Sequence, residues 1–215
     1  MLEEEKHRKE FLLKMYEQLC IENNRNIGFV VQSVSVIIGA FAILSLTEKK
    51  IIDMDIASIL IILICTWFLR LILDSNYWYN RNLAMISNIE REFLLSSDLK
   101  DIHYYFAKPR AANSMLTNYR AQIWLGSGIA IIILLYHFLT RVLPGINEPW
   151  SNFEIQRCVP YIVTLVCICT LLKMQKKQKK KYEEFISQSP GKQQDFRGND
   201  FDISQINYGA GHPVD

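Results

Sequence analysis

Four apolar runs divide this chain of 215 residues, and they leave it few ways to fold. Residues 27–46, 123–139 and 158–172 contain no Asp, Glu, Lys or Arg, and residues 56–73 contain only Arg70. A hydrocarbon core of about 30 Å takes roughly 20 helical residues to cross. The first run is long enough alone, whereas the fourth, at fifteen residues, needs its flanks. The expectation is an all-α membrane protein with four transmembrane helices. A mean hydropathy of only +0.06 agrees, because the polar-rich remainder outweighs the runs.

The second run does not end where its apolar stretch ends. Residues 56–95 hold no proline or glycine, and the sequence passes into NYWYNRNLAMISNIEREFLL without a break signal. Forty helical residues rise roughly 60 Å, twice the hydrocarbon thickness. Half of such a helix must stand in water or against protein.

Orientation follows from Lys and Arg. The segments before the first run, between the second and third (counting Arg70), and after the fourth carry five, seven and eight; the other two connections carry two each. This bias places both termini and the central segment in the cytoplasm. Residues 1–26 then read as a cytoplasmic amphipathic helix and 27–73 as a transmembrane hairpin. Residues 74–122 read as a cytoplasmic helical hairpin in which the long second helix goes down and the chain returns. Residues 123–172 form a second transmembrane hairpin, and 173–215 a polybasic and disordered tail. No cleavable signal peptide is expected, because the first 26 residues are charged.

The candidate sites are of three kinds. In the first run Gly28, Gln32, Ser35, Gly39 and Ala42 fall at alternating steps of four and three, which puts an amide, a hydroxyl and three small residues on one helix face. That face serves close packing within one subunit or the axis of an oligomer; an amide near mid-membrane is costly unless paired or hydrated. Past the second run, Asn76, Asn80, Asn82 and Asn88 alternate with Tyr77, Trp78, Tyr79 and Leu83, followed by Glu90 and Glu92. Asparagine is a mediocre helix former, so four of them point to a packed polar and aromatic interface. At the end of the fourth run stand Lys173, Lys176, Lys177, Lys179, Lys180 and Lys181, a contact for anionic lipid. In the amino-terminal helix, Leu12, Met15, Tyr16 and Leu19 form an apolar face to be buried by the bilayer surface or by the extended second helix. Gly126 and Ala130 give the third span a small-residue contact, and Asn113 or Ser114 caps the helix leading into it.

No catalytic chemistry is legible. The chain has no phosphate-binding glycine loop, HExxH or GxSxG. Its five cysteines and four histidines are dispersed, the 140–157 connection offers no catalytic constellation, and no metal or cofactor is expected. Within the spans the only ionisable side chains are Arg70 and His137, each near an interface, which disfavours coupled transport.

The stretch YWYNRNLAMISNIEREFL, residues 77–94, following a two-span hairpin, resembles the SLATT-like and octameric small membrane proteins of bacterial conflict systems. The resemblance covers residues 27–95. The chain departs from that pattern in having four spans rather than two and no proline after the acidic residues. What it implies is an oligomeric inner-membrane effector, not an enzyme, held inactive until a cytosolic sensor reports phage infection. Two readings follow: a homo-oligomer that permeabilises or perturbs the membrane on a cytoplasmic signal, or a membrane anchor and sensor that recruits a soluble cytoplasmic partner. Neither involves direct sequence-specific nucleic-acid binding by this chain.

Overall fold

The computed structural model describes residues 2–93, 112–146 and 154–189. The turn of the expected 74–122 hairpin, the side chain of Glu92 and the tail beyond 189 lie outside the described residues. Those residues are helical, with no strand among them. Helix α1 spans Leu2–Glu48, α2 Met54–Phe93, α3 Thr117–His137 and α4 Val159–Ser187. Four of the described helical segments are long and apolar enough to cross a membrane.

Local chemistry explains the ends of these helices. Glu3, Glu4 and Glu5 complement the dipole at the start of α1. Its carboxyl end closes in a Schellman turn: Ile51 N–H bonds Leu46 O at 3.0 Å and Lys50 N–H bonds Thr47 O at 2.9 Å, with Lys50 at φ 54°. Pro160 stands in the first turn of α4, where a missing N–H costs nothing. The helix into the third run starts at Thr117 with Leu116 as its N-cap, not at Asn113 or Ser114. Asn113 is used elsewhere, as described below.

Inside the apolar stretches, hydroxyls fold back onto their own helix. Ser33 donates to Val30 O, Ser35 to Gln32 O, Thr66 to Ile62 O and Thr170 to Val166 O, all at 2.6 to 2.8 Å. That satisfies polar groups without a partner helix, as lipid requires.

The chain divides into two compact units. One comprises Met1–Gly28, Ser75–Ser114 and Gln178–Asp215; the other comprises Phe29–Asp74 and Met115–Lys177. In the first, Leu19, Ile86 and Ile89 form the core, with Leu12, Tyr16, Cys20 and Met85 against them. The amphipathic face of α1 is thus buried by the carboxyl half of α2, except for Met15, which is exposed.

The second unit is built from α1, α2 and α3 around Val30, Ile37, Phe68, Ile72 and Tyr119, and around Ala40, Ile61, Cys65 and Ile133. Gly126 permits the close approach of α3 to α2: a Cβ there would meet Phe68 Cδ1 at 3.0 Å and Leu69 Cδ2 at 3.3 Å. Around this interior the surface is apolar. Ile131, Ile132 and Leu135 on α3, and Ile162, Leu165 and Val166 on α4, are exposed.

Candidate functional site

A partly buried cluster of charged residues belongs to the second unit. Asp55, in the first turn of α2, is a residue whose position favours a carboxylate because it complements the helix dipole. His137 is the last residue of α3 and is completely buried. The chain then widens into one π-helical turn, Phe138–Val142, with Leu143 N–H bonded to Phe138 O, before an α-helical turn at Leu143–Ile146. Such turns recur at functional sites, where they re-aim side chains. Here the turn carries Arg141, four residues after His137, to the same carboxylate.

The geometry is closed. His137 Nε2 lies 2.9 Å from Asp55 Oδ1, Arg141 Nε donates to Oδ1 at 3.1 Å, and Arg141 Nη2 donates to Oδ2 at 3.0 Å. Arg141 Nη2 also reaches Glu154 Oε2 at 3.2 Å, and Arg157 Nε donates to that same oxygen at 3.1 Å. On the other edge of the imidazole, Nδ1 is 3.1 Å from the Tyr161 hydroxyl, which is 3.4 Å from Leu134 O. Two arginines face two carboxylates, and the histidine bridges the buried one to a tyrosine.

Glycine chemistry shapes the rim. A Cβ at Gly145 would overlap the Arg157 guanidinium, so Gly145 leaves the room in which that side chain reaches Glu154. The hydrogen bond and charge of Arg157, with the more distant charge of Arg141, hold the Glu154 carboxyl below the usual glutamate range. One turn along α2 from Asp55, the Ser58 hydroxyl is fully buried and finds no hydrogen-bond partner among the described residues.

The 140–157 connection carries charges that the sequence reading did not group together. That connection carries Arg141, Glu154 and Arg157 into one network with His137 and Asp55. Asp55 stands just ahead of its apolar run and His137 is 82 residues further on. The available signal was the presence of opposite charges at the ends of two apolar runs.

The stripe on α1 faces outward. Gln32, Ser35, Gly39 and Ala42 are exposed and Gly28 is half-buried, while Val30, Ser33, Ile37 and Ala40 form the buried face. A Cβ added at Gly28 or Gly39 meets nothing within 4 Å. Among the described residues, nothing in the subunit packs closely against Gly28 or Gly39.

The polar and aromatic stretch of α2 belongs to the first unit. Asn76 and Asn80 Nδ2 both donate to Asn113 Oδ1, at 3.1 and 2.8 Å, and Asn80 Nδ2 also donates to Ser114 O at 2.9 Å. The Asn76 and Asn80 carbonyl oxygens are buried and find no donor among the described residues. Asn82 is buried, and Asn88 Nδ2 donates to Ser189 Oγ at 2.9 Å. Tyr77 and Trp78 meet edge to face, and the Arg81 guanidinium lies over Trp78 at 5.0 Å and over Phe185 of α4 at 5.3 Å. Glu90 accepts from Tyr16 at 3.2 Å, which turns its carboxylate toward α1. The six lysines of α4 are exposed, with Lys179 and Lys180 within 4 Å of Glu183 and Glu184.

The fold and these sites define the class: a helical protein with membrane-spanning segments whose charged interior is gathered at helix ends. No protein-family model, no curated protein and no solved structure matches the chain.

Proposed function

We propose that the chain is a non-enzymatic subunit of a bacterial defence system that assembles in the inner membrane, both termini cytoplasmic, and permeabilises or perturbs that membrane on a cytoplasmic signal. The observation that supports this reading is the outward face of α1. Gln32 presents an amide six residues into the first run with no partner among the described residues, beside Gly28 and Gly39, whose Cβ positions are open. An amide in hydrocarbon is costly until it pairs or hydrates, and small residues let a second backbone approach. Another copy of the same face, or a hydrated lumen, satisfies both conditions.

Dye release from vesicles containing the purified protein tests it. Gln32→Leu and Gly39→Ile should abolish release while leaving each subunit folded, because neither position supports the subunit's own packing. Unchanged release in both variants would discard the pore.

The second reading is a membrane anchor that recruits a soluble partner, and the six solvent-facing lysines together with exposed Trp78 favour it. Glu90 is a poor probe of such docking, because its carboxylate is engaged by Tyr16. Truncation after Ser187 should release the partner in a pull-down; retention would count against recruitment.

A further inference from the structure

We propose that the end of the second unit remote from the Asp55–His137 junction is a docking surface for the headgroups of anionic phospholipids. It is formed by Arg70 of α2, Arg120 of α3 and Lys173, Lys176 and Lys177 of α4, all exposed and all in that unit. The inference needs the helices to span a bilayer and does not depend on permeabilisation.

The junction supplies a common origin for measuring depth. Contacts of 2.9 and 3.1 Å join His137 to Asp55 and Tyr161, so α2 and α4 run away from one place and α3 runs back to it. At about 1.5 Å per residue, Arg70, Arg120, Lys176 and Lys177 lie about 22–26 Å from it along their own helices. Between the two ends, the approach of Gly126 to Phe68 and Leu69 keeps α3 in the same register with α2. Trp67 and Trp124, 45% and 79% exposed, stand about one turn nearer the junction. Exposed tryptophans collect at the edge of the hydrocarbon, and long cationic side chains just past that edge reach the phosphates.

Charge divides the lysine run into two tiers. Lys179 and Lys180 lie 3.9 and 3.8 Å from Glu183 and Glu184, whereas Lys173, Lys176 and Lys177 have no acidic partner among the described residues. Steps of three and four place these inner lysines on one helix face, and they follow directly on exposed Ile168 and Leu172. Beyond them Gln178 and Tyr182 are buried, and Phe185 lies under the Arg81 guanidinium of α2, so the outer part of the helix packs on protein. Asp74 is the one acid among the described residues at this end of the unit. The inner tier thus continues a surface already given to acyl chains: a phospholipid with its tails on Ile168 and Leu172 brings its phosphate to Lys173, Lys176 and Lys177.

Tryptophan quenching by brominated lipids tests this on the full chain in phosphatidylcholine vesicles. Trp78→Phe and Trp150→Phe leave Trp67 and Trp124 as reporters, and brominated phosphatidylcholine is each variant's own reference. Brominated phosphatidylglycerol should be preferred about fivefold, the weight of one cation with one headgroup, and about 1 M salt should bring the two lipids close to parity. Lys173→Gln, Lys176→Gln and Lys177→Gln together should at least halve the preference, and the same three changes at Lys179, Lys180 and Lys181 should leave it in place. Equal quenching by the two lipids in the parent overturns the proposal and leaves the lysines to a soluble acidic partner. A preference that the inner triple variant does not lower, or that the outer one lowers as much, overturns it too.

Discussion

His137 Nε2 meets Asp55 Oδ1 at 2.9 Å across 82 residues of chain, and the two side chains are 0% and 7% exposed. A contact this remote in sequence and this dry ties the start of α2 to the end of α3. It also makes each partner dependent on the other.

Asp55→Ala should therefore be among the most damaging single changes in the second unit. It leaves a buried imidazole N–H without its acceptor and removes two bonds from Arg141. Breaking a buried pair typically costs about 3 kcal/mol or more. Arg141, about a third exposed, recovers part of that by turning to water and Glu154. We expect a large drop in thermal midpoint for Asp55→Ala and a smaller one for His137→Gln, which keeps an amide donor; equal midpoints in parent and Asp55→Ala would refute the coupling.

The approach of α3 to α2 gives a sharper contrast. At Gly126 an added side chain collides with Phe68 and Leu69, whereas at Gly128 it meets nothing within 4 Å. Overpacking costs about 1–3 kcal/mol. Gly126→Val should lower stability by that order and Gly128→Val should leave it nearly unchanged, as read by unfolding in a graded SDS and mild-detergent mixture.

Lys50 holds the left-handed position of the Schellman turn, at φ 54°. For an L side chain that conformation costs roughly 1–2 kcal/mol, while glycine adopts it freely but brings a more flexible unfolded chain. Lys50→Gly should stabilise the α1–α2 connection by a net of about 1 kcal/mol or slightly less. A lower thermal midpoint in this variant would contradict the turn geometry.

Acid should loosen the 154–157 segment before it loosens the spans. The carboxyl of Glu154 is depressed, chiefly by its hydrogen bond to Arg157. A depressed carboxyl contributes its tie above the ordinary glutamate range and loses it as pH falls through the lowered value. Amide exchange at 154–158, corrected for intrinsic rates, should therefore become less protected in acid, and Glu154→Gln should be less protected at every pH and indifferent to this transition.

The helices were legible in the sequence because lipid imposes a length and a polarity on each crossing segment, and 27–46 and 56–73 meet both without help. The continuation of α2 to Phe93 was legible for the opposite reason: nothing between 56 and 93 stops a helix. The charged end was not. Asp55, His137, Arg141, Glu154 and Arg157 share no local spacing that crosses the whole set, and single ionisable residues at the ends of apolar runs read as interfacial anchors. Only tertiary proximity turns them into one network. The α1 stripe lay between these cases, since its periodicity fixed which residues share a face but not whether that face points inward. The start of α3 at Thr117, capped by Leu116, was not legible because Asn113 looks like a local cap, while its side chain answers Asn76 and Asn80 instead.

Among the described residues, only about a tenth of the most apolar window of α3, and likewise of α4, is fully buried: 11% in each case. For those helices the acyl chains around the protein act as most of the interior, and apolar burial alone gives no preference for a neighbouring helix over lipid. A change of lipid or detergent is then equivalent to a set of core mutations made all at once. Comparisons between variants carry meaning only when the surrounding amphiphile is held as constant as the sequence.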